Sequence, residues 1–313
     1  MTGLDTTNGQ TRCGFVAIIG APNAGKSTLV NQLVGSKVSI VSRKVQTTRM
    51  RVRGVAIEGR SQIVLVDTPG IFEPRRNLDR AMVEAAWAGA ADADLVCLIV
   101  DAPDLIAEPN GLAAKDTARI IDGLNKVSRP AVLLLNKIDG MRRDQLLPLL
   151  DRLRGLAKFD PVFLISAQKG DGTKELLQHL AAAVPVGPWA YPADQAADIP
   201  LRLLASEITR ERIYDRLHQE MPYSSTVVTE QWKAMKDGSV RIEQTIFVER
   251  DGQKAIVLGK GGATIKLLGS SARTEMEALF GHKVHLFLHV KVRENWADDP
   301  AHYREIGLDV PKR

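Results

Sequence analysis

"FVAIIGAPNAGKS", residues 15–27, decides how this chain is read. A short apolar run, Phe15 to Ile19, passes into Gly20-Ala21-Pro22-Asn23-Ala24-Gly25-Lys26-Ser27 and then into a helix-forming stretch from Thr28 onward. The loop fits G-x-x-x-x-G-K-[ST] in the strand-to-helix context that the motif requires. Backbone N–H groups at a helix start attract phosphate, Lys26 reaches β- and γ-phosphates, and the Ser27 hydroxyl suits Mg²⁺. A plain glycine turn beside an exposed lysine needs none of this surrounding pattern, so a phosphate cradle is the stronger reading.

Working outward, the runs "SQIVLVD", "ADLVCLIVD", "AVLLLNK" and "PVFLISA" follow "FVAII", separated by "KSTLVNQLVG", "NLDRAMVEAAWAGA", "GLAAKDTARIIDGLN" and "DQLLPLLDRLRGLAK". Near-continuous Val/Ile/Leu strands alternating with helices predict an α/β domain over residues 13–184, a doubly wound, mostly parallel sheet covered on both faces. Residues 1–12 are expected to be a flexible start.

Three further motifs select the nucleotide. Asp67-Thr68-Pro69-Gly70 ends one strand, placing Asp67 to hold Mg²⁺ through water and the Gly70 N–H to bond the γ-phosphate. Asn136-Lys137-Ile138-Asp139 ends another. A carboxylate at Asp139 accepts from the N1–H and exocyclic amine of guanine, whereas adenine presents an acceptor and no amine; a site left with unpaired polar groups rejects the wrong base. Ser166-Ala167-Gln168 offers backbone N–H groups to the guanine oxygen. Singly these are ordinary loop sequences. Four in this order, each at a strand end, predict GTP, and a phosphoryl-transferring kinase leaves the Asn136–Asp139 motif unexplained.

The basic stretch "SRKVQTTRMR", residues 42–51, supplies Thr48 as the expected second Mg²⁺-ligating hydroxyl, with Thr47 beside it, in a segment that could order on GTP and relax after hydrolysis. A basic surface loop is the plainer alternative. Catalysis departs from the usual pattern at Ile71, where some GTPases place a glutamine to orient water. An alkyl group cannot do that, so slow intrinsic hydrolysis is expected, with Lys26, Thr48, Gly70 and Asn23 as the catalytic set. Asn23 could help a K⁺ ion sit beside the phosphates.

Composition breaks at "VPVGPWAYPADQAADIP", residues 184–200, where Pro185, Pro188, Pro192 and Pro200 exclude a continuous helix or central strand. Residues 185–200 read as a connection, residues 201–296 as a smaller α-β-β-α-α-β domain, and residues 297–313 as a polar tail. Between two helices of that second domain lies "AIVLGKGGATIK", residues 255–266, with a second glycine loop, Gly259-Lys260-Gly261-Gly262. No base-selecting or magnesium motif accompanies it. Lys254 to Arg293 carries seven basic residues against two acidic ones, Lys260, Lys266 and Arg273 among them, which favours a polyanion over a bare helix–helix turn. Ile256, Val257, Ile265, Leu267 and Leu268 are expected to pack the core, although Ile256 and Ile265 flank the loop and could line a groove for bases. His285, Phe287 and His289 read as an ordinary outer sheet face.

The whole chain bounds these readings. Its 313 residues suit two domains, and 44% hydrophobic with 25% charged residues is ordinary for a globular protein. A net charge of +5 permits a polyanionic partner without demanding one. The start "MTGLDTTNGQ" has neither a basic nor an apolar stretch, no apolar run reaches bilayer length, and Cys13 and Cys97 lack metal-ligand spacing, so a cytoplasmic protein with buried reduced thiols is expected.

With "GAPNAGKS", "QTTR", "DTPG", "NKID" and "SAQKG" followed by "VLGKGGATIKLLGSSAR" and "HVKVRENW", the chain resembles the Era family of bacterial GTPases from about Cys13 to Trp296. The resemblance implies a type II KH domain over residues 201–296, whose G-x-x-G loop clamps about four nucleotides of a single strand. Ile256, Gly259, Lys260, Gly261, Gly262, Ile265, Lys266 and Arg273 are then the RNA-binding residues. It also implies a GTP-dependent, monomeric factor in 30S assembly that holds the 3′ end of the small-subunit ribosomal RNA and can associate peripherally with the inner face of the membrane. A tRNA-modification or translation GTPase, or a passive RNA scaffold with a structural nucleotide, are the alternatives.

Overall fold

Along the chain run β1 (Arg12–Ile19), α1 (Lys26–Val34), β2 (Val52–Glu58), β3 (Ser61–Asp67), α2 (Asn77–Asp92), β4 (Leu95–Asp101), α3 (Ala102–Ala107), α4 (Leu112–Lys126), β5 (Ala131–Asn136), α5 (Arg143–Leu156), β6 (Phe159–Leu164), α6 (Thr173–Ala183) and β7 (Ala197–Asp198). Then follow α7 (Leu201–Arg216), β8 (Ser225–Ala234), β9 (Val240–Val248), α8 (Asp251–Leu258), α9 (Ala263–Phe280) and β10 (Val284–Val292). This computed structural model describes residues 10–217, 221–299, 303, 308 and 309. They form two units. The first holds the residues up to Ser39 with Thr48–Arg75 and Met82–Asp198; the second holds Ile40–Thr47, Arg76–Ala81 and the residues from Ile199 onward.

The apolar runs become strands because both their faces are covered. Along β1, β4 and β5, Ala17, Ile19, Leu98, Val100, Leu133 and Leu135 pack with residues of α2, α4 and α5, such as Ala86, Ile120 and Leu149. Their alternating neighbours Val16, Ile18, Cys97, Ile99, Val132 and Leu134 pack with Leu29 of α1 and Leu176 of α6. A period of two with apolar residues on both faces is what a buried parallel strand requires. The strand order is β6-β5-β4-β1-β3-β2-β7, with β2 antiparallel to both neighbours. β1 lies between β4 and β3, where the winding reverses, and the crevice beyond the strand ends at such a point takes ligands.

Three features differ from the sequence expectation. "VRGVAIE" forms β2, an antiparallel partner of β3 across Gly59, where φ is 58°. Arg12, expected in a flexible start, already pairs in β1 with Ser61, while residues 1–9 lie outside the described residues. The proline-rich connection, 185–200, also carries structure that its pattern did not announce: the buried Gln62 carbonyl oxygen accepts from the Ala190 and Tyr191 amides at 2.9 and 3.0 Å, its amide donates to Tyr191 O at 2.8 Å, and β7 adds an edge strand. A side chain thereby satisfies backbone groups that prolines keep out of a ladder. Cys97 is buried, which pushes its thiol up to about 12, and Cys13 is half-buried; both are free.

In the second unit the sheet order is β10-β9-β8, with β8 antiparallel and β10 parallel to β9. Joining parallel strands needs a crossover, and α8 and α9 provide it. Ile242, Ile246, Val284 and Val290 of the inner face pack with Ile208 and Ile213 of α7 and Leu268, Ala272 and Met276 of α9. Beyond β10, Trp296 is buried and its indole N–H donates to Ser224 O at 3.2 Å; of the expected tail, Tyr303 and Leu308 are also buried. Among the described residues no helix is long and apolar enough to cross a membrane.

Candidate functional site

The loop from Gly20 to Ser27 leaves β1 and enters α1 at the reversal point of the sheet. Its shape admits no side chain where glycine stands. A Cβ on Gly20 would lie 2.4 Å from Ile99 O, and one on Gly25, at φ 102°, would lie 2.2 Å from Asn136 Nδ2. Asn23 also holds a left-handed backbone at φ 62°. Lys26 is buried, with Nζ donating to Ala21 O at 2.8 Å and Gly20 O at 3.2 Å. Burial lowers its pKa to about 8, against the opposing pull of the Asp67 carboxylate. A desolvated ammonium beside the backbone N–H groups of a helix start suits an anion.

Three oxygens converge beside it. Ser27 Oγ donates to Asp67 Oδ2 at 2.7 Å, Ser27 Oγ and Thr48 Oγ1 are 2.8 Å apart, and Thr48 Oγ1 reaches the same carboxylate at 3.5 Å. Asp67 is fully buried, which raises its pKa, while Ser27, Lys26, Ser39 and Thr48 work to keep it ionised. Its Oδ1 is buried without a hydrogen bond in ordinary geometry. A buried carboxylate oxygen without a partner, next to two hydroxyls, fits a hard divalent cation such as Mg²⁺, which takes oxygen ligands and few of them from protein. Among the described residues no group of three or more His, Cys, Asp or Glu offers another metal site.

The remaining motifs lock the loop ends together. Gly70 stands against Pro22, where a Cβ would meet ring and backbone at 2.9 to 3.0 Å, and Ile71 N donates to Gly20 O at 3.1 Å. The Ile71 side chain is fully buried in the core, so the position where water could be oriented presents no side chain at all. Thr68 Oγ1 donates to Ile18 O at 2.8 Å. Asn136, expected to face nucleotide, also bonds the protein: Nδ2 donates to Ala24 O at 2.8 Å and Oδ1 accepts from Ala167 N at 2.9 Å. It ties the phosphate loop to the Ser166–Gln168 loop. Ser166 Oγ donates to Asp139 Oδ1 at 2.7 Å and accepts from Lys169 N at 3.1 Å, so an exposed carboxylate stands in a fixed orientation. The sequence reading missed Asp101, which pairs in register with Asn136 and forms an ion pair with Lys137. Its position at the carboxyl end of β4 was the available signal.

The second glycine loop is built differently. Gly259 has φ 71° and a Cβ there would meet Thr264 Oγ1 at 2.1 Å, whereas Gly261 and Gly262, at φ 60° and 77°, have nothing within 4 Å of that position. The turn closes through Gly262 N to Gly259 O at 3.1 Å. Lys260, Lys266 and Arg273 are exposed. Ile265 is half-buried against the core, but Ile256 and Leu267 are 51% and 54% exposed, not core residues as expected. An open loop with positive-φ glycines, two basic side chains on the following helix and exposed apolar residues on both flanking helices can take a phosphodiester strand with its bases.

Cradle and clamp together define a class: a P-loop GTPase carrying a KH domain. Residues 15–137 match the family model described as "50S ribosome-binding GTPase" and residues 220–297 the one described as "KH domain". The chain belongs to the Era family of GTPases, being 60% identical over 302 residues to GTPase Era of Afipia carboxidovorans, with 96% of each chain covered. It is 56% identical over 313 residues to GTPase Era of Rhizobium meliloti, covering 99% of this chain and 98% of that one. Two solved structures are similar at a TM-score of 0.88 and 37% identity, each covering 95% of this chain and 99% of the other: Aquifex aeolicus Era bound to GDP.AlF4⁻, and Era in complex with MgGDPNP and nucleotides 1506–1542 of 16S ribosomal RNA.

Proposed function

We propose that this chain is a GTP-driven switch that holds a single-stranded stretch at the 3′ end of small-subunit ribosomal RNA during 30S assembly. The observation that carries the reading is the pairing of a closed phosphate cradle with an open G-x-x-G loop, and the solved Era complex containing both nucleotide and 16S RNA supports it. Backbone amides of Gly20–Thr28 with Lys26 bind the phosphates, Gly70 N–H meets the γ-phosphate, and Asp139 reads guanine. Ser27, Thr48 and Asp67 hold Mg²⁺, which when bound neutralises phosphate charge. With Ile71 in the core, intrinsic hydrolysis is slow, and Asn23 helps a K⁺ ion supply charge beside the phosphates. Ile256, Gly259, Lys260, Gly261, Gly262, Ile265, Lys266 and Arg273 receive the strand.

The test is the affinity for labelled RNA of the 3′-end sequence in GTP-analogue, GDP and nucleotide-free states at fixed salt. Coupling must appear as an affinity ratio between states. Tighter binding in the analogue state supports the switch. Equal affinity in all three states makes the KH domain a constant anchor and removes nucleotide control of RNA, and a scrambled strand bound equally well removes the 3′-end target.

A further inference from the structure

The segment Ile40–Thr47 has no helix or strand of its own and groups with the second unit. Its backbone groups are served by α7. Glu211 accepts from Val41 N at 2.8 Å, Tyr214 Oη donates to Gln46 O at 3.1 Å, and the Arg210 guanidinium donates to Thr47 O. The Lys44 ammonium in turn donates to Tyr214 O and Leu217 O near the end of α7. Gln46 is held at φ 57°, a left-handed backbone that costs a non-glycine residue about 1–2 kcal/mol, and its side chain donates to Asp79 Oδ1 at 3.0 Å.

Arg210 is buried, at 2% exposure. Its Nε donates to Glu207 Oε1 at 2.8 Å, Nη2 serves both Glu207 and Thr47 O, and the guanidinium lies 5.3 Å from the centre of the Tyr214 ring. Burial works against its charge, and Glu207 more than offsets that. Nη1 is buried without a hydrogen bond among the described residues. A buried ion pair with an unfilled donor is a poor device for stability, since apolar residues of similar volume commonly do better. Nε and Nη2 fork onto Glu207, and Nη2 alone also reaches the Thr47 carbonyl.

That carbonyl belongs to the Thr47–Thr48 peptide. The peptide is planar, so fixing Thr47 O fixes the plane that also carries the nitrogen and Cα of Thr48. We propose that Arg210 is a positioning residue for the GTPase reaction, holding the Thr47–Thr48 peptide so that Thr48 Oγ1 stays with Ser27 and Asp67. This rests on the reading of Thr48 as a metal-ligating hydroxyl. Thr48 then matters for the triphosphate state and not for GDP, because such segments are held through the γ-phosphate and its cation.

The experiment titrates Mg²⁺ against binding of a non-hydrolysable GTP analogue and of GDP, with kcat alongside, for wild type, Arg210→Lys, Thr48→Ala and the double variant. Lysine keeps the charge and loses the fork. In Arg210→Lys the Mg²⁺ half-saturation for analogue binding should rise, and kcat fall, by about 10-fold, the scale typical of groups that orient a metal ligand. GDP affinity should stay within about 2-fold, and the double variant should be no worse than Thr48→Ala, as residues acting on one interaction are not additive. Wild-type Mg²⁺ dependence in Arg210→Lys, with Thr48→Ala shifted, overturns the positioning role. No shift in Thr48→Ala itself overturns the metal-ligand reading instead. Equal loss of GDP and analogue affinity assigns Arg210 to folding alone and also overturns the proposal. Should Arg210→Lys fail to fold, Tyr214→Phe carries the test: it keeps the ring and removes the hydroxyl from Gln46 O, and a shift of the same sign, about 3-fold, is expected.

Discussion

The two glycine loops of this chain use the same residue for opposite reasons. In the first, Gly20 and Gly25 are pressed against Ile99 O and Asn136 Nδ2, so glycine is required by the protein's own packing. In the second, Gly261 and Gly262 face open space and glycine is required only by the backbone angle, leaving room for something outside the protein. The lysines follow suit: Lys26 is buried and Lys260 exposed. A cast made for one small ligand has its walls built in, whereas a clamp for a strand borrows its second wall from the strand. The pairing of these two in one chain explains why a GTPase carries a second glycine loop.

The contrast breaks most readily at the first loop. Gly25→Ala combines a positive φ with a collision against Asn136, and should lower stability by about 3 kcal/mol and abolish nucleotide binding, whereas Gly261→Ala, strained but uncrowded, should cost about 1 kcal/mol. Thermal melts of the two variants check this; equal costs would erase the distinction. At the base-selecting end of the cradle, Asp139→Asn should weaken GTP by about 10- to 100-fold and favour xanthosine triphosphate, measured by competition, because a charged hydrogen-bond partner is exchanged for a mismatched one.

The second loop answers to charge. Lys260→Asp combined with Gly261→Asp should reduce RNA affinity by at least about 10-fold at moderate salt while GTP affinity is unchanged. Normal RNA affinity in that double variant refutes the clamp. Acidity then probes the first loop. Burial lowers Lys26 from 10.5 to about 8. Between those values the folded chain binds fewer protons than the unfolded chain, so nucleotide-free stability rises with pH while nucleotide affinity, which needs the charged form, falls by about 10-fold from pH 7 to 9. Pairing the pH series with a melt reads both signs. The smallest effect concerns Asn23: hydrolysis should be a few-fold faster in K⁺ than in Na⁺ at equal ionic strength, and identical rates in the two salts would remove the ion from the account.

Much of this was legible in the residues. The run from Phe15 to Ser27, the strand-end placement of Asp67, Asn136 and Ser166, and the order of elements around Gly259 each follow from local pattern, because a phosphate loop is made of contiguous backbone and a buried strand must alternate between two apolar faces. What the sequence could not show are the contacts made between distant residues. Asn136 reads as a nucleotide ligand, and its bond to Ala24 O, 112 positions away, is invisible in that pattern. Ile256 and Leu267 read as core because they are apolar, yet the helices turn them outward. The basic stretch before Thr48 reads as a free switch until α7, more than 160 positions on, is found satisfying its backbone through Arg210, Glu211 and Tyr214. Residue type and spacing determined which chemistry this chain carries; only the tertiary structure decided which side chains are spent on holding it, since a backbone carbonyl without a local partner takes whichever donor the fold brings to it.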